Sequence, residues 1–597
     1  MAKFKYLLFP LVILICIFQE SSAAKSVNGF LKRDGQRIVN SKSDNFILRG
    51  VGPGGWMLQE GYMFQTPVGP QHKIRAMLEN LTDKATTDAF YREWLKNFFT
   101  GEDVKNISDW GFNSIRVPMH YNLFTLPVEQ EPVKGRNTWL STGFNMLDSL
   151  LFWCEKNDIY LILDLHAAPG GQGKDANISD YDPEKPSLWE SEANKAKTVA
   201  LWYQLAKRYS KRVHIGGYDL INEPNWAFEN DGTHPNGCDC TINKPILDLY
   251  KRITDTIRLV DPNHIIFVEG NCWANNYKGL HELASYDENI VFSFHKYWSV
   301  NDDKSIEGVL DLRTQLNVPL WLGETGENSN VWFTDMVEQM ERLNIGWATW
   351  AYKQMDIDDP YTIVSKSWDA IINYNPETGE NRPGREQAVT AMNDLLENIK
   401  TENCKFNSDV VFAYLDAPFN HQRKPFKTHN IPGTIFAVDY DFGTLNDAWN
   451  DSDYQDLHVT TGKYTGWNSG YTYRSDGVDI GICNDPISNG YYVGWTEDGE
   501  WTKYSISTVT PGIYNIILRV SGDSGKIKIT LGDQQLEVAP PKKNLQKSGE
   551  GWYNLSISDV LIKEGIKDVK LTFTKGGLNV NYIKFKHLSS EVSQTEN

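Results

Sequence analysis

Eight residues carry the chemistry this sequence offers: Arg116, His166, Asn222, Glu223, His295, Tyr297, Glu324 and Trp350. Each stands at the end of a short apolar run, where a polar or charged side chain is costly unless it is paired. A single such residue reads most simply as a structural hydrogen bonder. Eight at corresponding places need a shared purpose. Two of them, Glu223 and Glu324, are carboxylic acids, and a pair of carboxyls in different protonation states can cleave the acetal bond between sugars. One gives its proton to the departing oxygen while the other, ionised, attacks the anomeric carbon.

These residues need a frame that gathers them. Apolar, β-branched runs recur at 46–51, 114–120, 160–166, 217–223, 265–270, 290–297, 319–324 and 346–352. Helix-like stretches with apolar residues at three-to-four spacing lie between them, at 142–156, 191–209, 243–260 and 329–343, several opening on Ser, Thr or Asn as a cap. Eight strands alternating with helices predict an α/β fold, a (β/α)8 TIM barrel whose strand ends converge on one C-terminal mouth. There strand four, with Glu223, faces strand seven, with Glu324. An open doubly wound sheet would place a phosphate-binding glycine loop before a helix. The run Gly50-Val51-Gly52-Pro53-Gly54-Gly55 contains a proline and leads into no helical pattern, so it reads as a loop.

After about residue 400 helical periodicity gives way to a proline-punctuated polar stretch, with Pro418, Pro425 and Pro432, and then to short alternating runs such as Ile527, Ile529, Leu531 and Val569, Leu571, Phe573. That pattern predicts a second domain, an all-β jelly-roll-like sandwich. The expected organisation is a signal peptide at 1–24, a barrel at 25–402, a linker at 403–430, the sandwich at 431–587 and a disordered tail at 588–597. The leader is read from Lys3 and Lys5, an apolar run at 6–18 and small residues at 22–24, which together predict export.

At 597 residues two domains are expected, and a net charge of −18 without a basic cluster excludes nucleic acid and anionic membrane surfaces as partners. The 74 aromatic residues are mostly core, though aromatic faces also suit sugar rings. Outside the leader lie six cysteines; Cys238 and Cys240 are too close to pair with each other, and either is free to pair with Cys272. Their Cys-Asp-Cys spacing does not suit zinc. No cofactor and no metal is expected, and the chain is expected to be a monomer.

The motif Leu220-Ile221-Asn222-Glu223-Pro224, with Leu322-Gly323-Glu324-Thr325-Gly326, Arg116 in Ile-Arg-Val-Pro, His166 in Asp-Leu-His, and His295 and Tyr297 in Phe-His-Lys-Tyr, resembles glycoside hydrolase family 5 over most of 40–400. The resemblance implies a retaining glycosidase in which Glu324 is the nucleophile, held ionised by Arg116 and Tyr297, and Glu223 the general acid and then base. It implies further that Asn222 binds the sugar 2-hydroxyl, that Trp350 floors the site and that His166 and His295 wall it. Trp226, Phe228, Trp273 and Trp298, just beyond strand ends, are candidate sugar-stacking residues, with loop packing the competing role.

The stretches 48–56 and 165–172 look like the branch holding exo-β-1,3-glucanases, which has Asn where this chain has Gly52 or Pro53. β-Glucan is the favoured polysaccharide or oligosaccharide substrate. An endo-acting cellulase or mannanase is the alternative within the family, and a catalytically inactive glycan receptor the alternative outside it. Loops at 59–81 and 228–244 are candidates to block one end of the mouth. The segments 473–480, 494–501 and 577–583 resemble carbohydrate-binding module family 6, which implies glycan contacts at Trp495, Trp552 and Asn579, with a core position the competing role for Trp552. Trp501 reads as a core residue. Phe436, Val438 and Asn581 stand where that family holds calcium ligands, so no calcium is expected here.

Overall fold

In the computed structural model, which describes residues 26–229, 235–452, 469–470, 472–541 and 551–589, the eight apolar runs close into a parallel barrel. Its strands are β1 (Arg49–Gly52), β2 (Ser114–His120), β3 (Tyr160–Ala167), β4 (Ile215–Asp219), β5 (Ile265–Glu269), β6 (Ile290–His295), β7 (Leu320–Gly326) and β8 (Gly346–Trp350). β8 pairs with both β1 and β7 to complete the ring. Every residue of β2, β3, β5, β6 and β7 is buried, as expected of strands covered on one side by helices and on the other by the barrel's own filling.

The intervening helices take the expected places, and their caps show why they start there. Ser191 accepts from the Asn194 amide ahead of Glu192–Tyr209, and Ser329 from the Trp332 amide ahead of Asn330–Arg342. At the opposite end from the mouth, a hairpin of Lys32–Asp34 and Arg37–Val39 turns at Gly35, whose φ of 57° suits glycine. Its Leu31 and Ile38 join Tyr160, Phe267 and Trp321 in a separate apolar cluster that plugs the barrel's base.

Two boundaries differ from expectation in ways that matter. β4 ends at Asp219, so Asn222 and Glu223 lie beyond the strand on an irregular extension. The stretch read as a linker is folded. Lys405–Phe406 pairs with Tyr361–Thr362, Ser408–Leu415 is a helix, and Val410, Ala413 and Tyr414 belong to the barrel's core. Tyr414 stacks on Phe333 at 4.4 Å between ring centroids. Eight residues are too few for periodicity to declare a helix against neighbouring prolines.

The second domain is a sandwich of two mainly antiparallel sheets. One contains Trp501–Val509, Asp568–Lys575 and Lys526–Leu531; the other contains Asn579–Ser589, Gly512–Ser521 and Tyr553–Ile562. Leu588 and Ser589 belong to its last strand rather than to a tail. The leader and the remaining tail lie outside the described residues. Among those described, no helix is long and apolar enough to cross a membrane. The two domains meet directly. Asn330 donates from Nδ2 to Asp409 and Asp476, each at 2.8 Å, and from its backbone amide to the Ser475 carbonyl at 2.8 Å. Val331 beside it packs into the sandwich's core.

A substitution separates a folded strap from a linker. Tyr414→Ala in the full chain should destabilise the barrel by about 3–5 kcal/mol, the usual cost of truncating a large buried aromatic. Calorimetry would register it as a lower barrel transition; an unmoved transition would return the segment to the status of a tether.

Candidate active site

The centre of the mouth is built around one guanidinium. Arg116, on β2 and 1% exposed, reaches Asp219 (2.9 Å), Glu269 (3.0 Å), Glu324 (2.7 Å) and Asp164 (3.3 Å), and donates to the Asn222 side-chain oxygen at 2.8 Å. These partners come from β3, β4 and its extension, β5 and β7, so one side chain ties together the ends of most of the barrel. A fixed, always charged fork is the group suited to several carboxylates at once.

Glu223 is placed by what surrounds its backbone. Its φ of 44° is left-handed, a conformation that costs free energy in a residue with a β-carbon. Its N–H donates to Glu269 Oε2 at 2.7 Å and its carbonyl accepts from Asn225 Nδ2 at 2.9 Å. Asn222 is anchored too, its carbonyl taking a bond from Gln172 Nε2 at 2.8 Å. The Glu223 carboxyl meets His295 Nδ1 at 2.6 Å, and His295 lies 3.9 Å from Glu324 Oε1. Across the mouth, Tyr297 donates to Glu324 Oε1 at 2.5 Å. Ligand-type atoms of Glu223, His295 and Glu324 all lie within 4.8 Å of one another. That range falls with the carboxyl spacing of about 5–5.5 Å used in retaining hydrolysis, well short of the ~6.5–9.5 Å that leaves room for a water in inversion. A cation would also fit the spacing, but the imidazole nitrogen facing the carboxyls is already hydrogen-bonded to Glu223.

The same contacts drive the two carboxyls apart in acidity. Burial raises the Glu223 pKa, and the charge of Glu324 raises it further, against an opposing pull from His295. Burial would raise Glu324 as well, but the charges of His295, Arg116 and His166 and the Tyr297 hydrogen bond outweigh it, leaving Glu324 below the ordinary carboxylate range. Burial disfavours a charged His295, yet Glu269, Glu324 and the bond to Glu223 hold it well above an ordinary histidine. The result is a Glu223 that keeps its proton to higher pH than the Glu324 opposite it.

A cleft of about 1010 Å³ opens over this centre, lined by Glu223, Glu324, His166, His295, Tyr297 and Trp298 of the expected residues. Arg116 and Asn222 lie beneath it. Trp350 is 3% exposed, its ring parallel to His166 at 5.0 Å and its Nε1 donating to Tyr62 at 2.9 Å. The glycine-rich loop explains that placement, since a β-carbon at Gly52 or Gly54 would come within 2.9 or 2.7 Å of the Trp350 ring. Trp298, 72% exposed, stands on the rim. Trp226 does not face the cleft: it is buried, with Lys174 Nζ 3.8 Å above its ring and Tyr181 edge-on. Cys272 pairs with Cys238, leaving Cys240 reduced and buried, and this disulfide and Trp273 line the end of the cleft away from β1.

Several residues of the site were not among those expected. Glu269 ends the apolar run of β5, and Asp164 and Asp219 interrupt β3 and β4; a charge inside or ending such a run was the available signal. Glu60, Tyr62 and Glu327 line the cleft from loops after β1 and β7, and loop positions carry no periodic signal. Glu60 meets His166 Nε2 at 3.2 Å, and burial pushes its carboxyl up to about 8.

In the sandwich, Trp495 is 53% exposed and stacks near Tyr492 at 6.1 Å, while Trp552 is buried edge-on to the same ring at 5.5 Å. Asn579 is half-buried beside Gly494 and donates to Ser521 Oγ at 3.1 Å. Trp501 is not a core residue; its ring lies under Lys570 Nζ at 3.7 Å and Lys503 Nζ at 4.8 Å on the outer face, and Trp449 fills the interior. Asn581 donates to Asp485 (3.1 Å) and the Ile487 carbonyl (2.8 Å).

Replacing Tyr297 by Phe should move the Glu324 titration upward, because the bond removed stabilises only the ionised form. Glu324, being depressed, contributes stability above its unfolded pKa and loses it as pH falls through the folded one, so Tyr297→Phe also narrows the acid end of the stability profile. Carboxyl-selective NMR titration checks this; an unmoved Glu324 resonance would remove Tyr297 from the electrostatics of the site.

The sequence model of Cellulase (glycosyl hydrolase family 5) matches residues 73–356, and that of Carbohydrate binding module (family 6) matches 470–587. Among curated proteins, the chain is 31% identical over 268 residues to a β-xylosidase of Phanerodontia chrysosporium, covering 45% of this chain and 52% of that protein. It is 26% identical over 331 residues to Endoglucanase C of Acetivibrio thermocellus, covering 45% of this chain and 88% of the relative. Against a probable glucan 1,3-β-glucosidase A of Aspergillus fumigatus the identity is 25% over 271 residues, covering 44% and 59%. The chain thus spans about half the length of the β-xylosidase and of the glucosidase it matches. With the closed parallel barrel and the strand-end constellation, these matches place residues 73–356 in glycosyl hydrolase family 5 and residues 470–587 in carbohydrate binding module family 6.

Proposed function

We propose that the chain is a retaining β-glycosidase that removes sugars from the end of a β-linked glucan, with a glycan-binding sandwich attached. The observation that carries the reading is the pair Glu223 and Glu324, brought close and held in opposite protonation states. In the first step a Glu324 oxygen bonds to the anomeric carbon, the bond from that carbon to the leaving oxygen breaks, and the Glu223 proton goes to that oxygen. The glycosyl ester leaves Glu324 without charge, which removes one of the influences raising Glu223. Glu223 can then take a proton from water as the water oxygen bonds to the anomeric carbon and the ester opens. Asn222, fixed by Arg116 and Gln172, is placed to meet the 2-hydroxyl, and Trp298 to stack on a sugar at the rim.

End-wise action is supported by how the mouth is walled. Of the stretch from Gln59 to Leu81, expected as one loop, Gln71–Leu81 is a helix. The loop ahead of it is pinned on both flanks, since Met355 donates to the Met63 carbonyl at 3.0 Å and Gly69 lies so close to Asn177 that an added β-carbon would meet its oxygen at 1.6 Å. Glu60 and Tyr62 on this loop, with Glu327, bound the side of the cleft nearest the nucleophile's strand and its neighbours β8 and β1. The far end, past Trp273 and Asn275, belongs with the general acid and hence with the leaving group. The leader-like first residues and the Cys238–Cys272 disulfide favour a secreted protein.

Purified protein should release glucose alone from laminarin, and Glu324→Gln should lower that rate by about 10³-fold or more. Oligosaccharide ladders from carboxymethyl-cellulose, xyloglucan or mannan would keep the mechanism and overturn end-wise β-1,3 action. No product from any polymer or small glycoside would sink the enzyme reading. The pH profile is a separate check. With Glu324 depressed and Glu223 raised, kcat/KM should hold between a low acid limb and a high alkaline limb. Glu223→Ala should abolish the alkaline limb and spare kcat/KM for substrates whose leaving group needs no proton, while kcat falls because the ester has lost the base for its hydrolysis.

A further inference from the structure

Glu327 has no part in the double displacement, yet the fold goes to some length to present it. It follows Gly326, whose φ of 156° brings the chain so near β8 that an added β-carbon would meet the Trp350 carbonyl at 1.9 Å. Glu327 itself is left-handed, at φ 49°, one residue past that contact. Asn328 then fastens the segment by donating to the Tyr297 carbonyl at 3.0 Å. Strained backbone of this kind persists where the surroundings enforce it, and here it turns a carboxyl into the cleft.

The carboxyl is half engaged. Tyr62, which takes the Trp350 indole N–H at 2.9 Å, hydrogen-bonds Glu327 in turn, so a relay runs from the base of the site to this side chain. Its Oε1 has no hydrogen-bond partner among the described residues, while the side chain as a whole is part-buried. A carboxyl with an unpartnered oxygen is expensive, and its part-exposed face on the cleft is where a ligand hydroxyl can meet it. The charges that act on it most are Glu324, Glu223 and Asp356, with Glu60 beyond Tyr62. Burial, followed by those charges, pushes Glu327 up to about 7. It can therefore donate to a hydroxyl in acid and accept from one in base.

We propose that Glu327 is a specificity-determining residue that hydrogen-bonds a hydroxyl of the terminal sugar beside the nucleophile and turns away sugars bearing a carboxylate. This deepens the glycosidase reading and rests on it. A uronic acid in that position would bring its charge against Glu327 and the ionised Glu324, while the nearby cations His166 and His295 are already engaged by Glu60, Asp164, Glu223 and Glu269. Repulsion between charges beside a largely buried centre is poorly screened. The terminal sugar is accordingly a neutral pyranose.

The test uses the full-length chain with Glu327→Ala and Glu327→Gln on p-nitrophenyl β-glucoside, β-xyloside and β-glucuronide. Glu327→Ala should lower kcat/KM on the neutral glycoside that the native protein prefers by about 10- to 100-fold. Glu327→Gln, which keeps the hydrogen-bonding shape, should lose less there and narrow the preference for neutral over anionic glycoside by at least about tenfold. Equal losses on every substrate with a lowered thermal midpoint, or no change in selectivity, would overturn the proposal. Calorimetric titration with laminaribiose and cellobiose on a Glu324→Gln background, with and without Glu327→Ala, separates this inference from its parent. Binding weakened tenfold by Glu327→Ala in a protein that hydrolyses nothing would uphold the contact and reject the enzyme. Binding unaffected by Glu327→Ala, or absent altogether, would reject the contact.

Discussion

Arg116 is buried among four carboxylates, and the balance of that cluster governs everything above it. One cation cannot neutralise Asp164, Asp219, Glu269 and Glu324 together, so the remainder is met in other ways. His295 is held protonated against Glu269 and Glu324, and Asp219 is pushed up to about 7. Glu324 makes the shortest contact with Arg116 and also accepts from Tyr297, and its pKa ends below the ordinary range. Glu223, one layer above, contacts His295 but not Arg116 and keeps its proton. Buried ion clusters seldom add stability, because desolvation offsets their attraction. The cluster is better understood as the source of two unlike carboxyls a few ångströms apart.

That electrostatic arrangement requires positional accuracy, which the barrel supplies in two ways. Arg116 draws its partners from separate strands, so any strand that slipped would leave a buried charge unpaired. Glu269 serves twice, receiving Arg116 on one oxygen and the Glu223 N–H on the other. The residue that balances the nucleophile's cation thus also holds the acid's backbone in its left-handed turn. Trp350 plays a comparable part for the walls: its ring is fixed by the Gly52 and Gly54 backbone below, and His166 and Tyr62 rest on it.

What the sequence disclosed follows from where each residue sits. Polar groups inside or just past apolar strands break a pattern, which is why Arg116 within β2, Glu324 within β7, His166 and His295 near their strand ends, Glu223 beyond β4 and the closed barrel were legible together. Glu269 breaks the same pattern at the end of β5, but it acts by holding Arg116 and the Glu223 backbone, contacts that only the folded barrel brings about. Glu60, Tyr62 and Glu327 come from loops, where neighbouring residues set no rhythm to break and only tertiary closure assigns them a face. Tryptophans were misjudged in both directions for one physical reason. An indole is large enough to fill a core and flat enough to serve a surface, so Trp226 under Lys174 and Trp501 under two lysines cannot be told apart by type. The helix at Ser408–Leu415 escaped notice because its apolar face is satisfied by Phe333 and Trp347, residues far away in sequence.

The mouth is therefore unequal across its width, and the inequality has a physical origin. On the side of β7, β8 and β1, hydrogen-bonded loops carry Glu60 and Glu327, whose enclosure makes each carboxyl harder to ionise, and the half-exposed Tyr62 between them. On the side of β4 and β5, the wall is the Cys238–Cys272 disulfide and the three left-handed residues Cys272, Trp273 and Ala274. A sugar that must be recognised hydroxyl by hydroxyl needs the first kind of surface. A leaving group that varies in length needs only a firm edge and an aromatic face, which is what the second side offers. The sandwich joins the molecule through Asn330, three residues past Glu327 on the same chain segment that leaves the nucleophile's strand. The docking of the second domain and the presentation of the cleft's carboxyl thus share one short stretch of backbone, so neither can be loosened without consequence for the other.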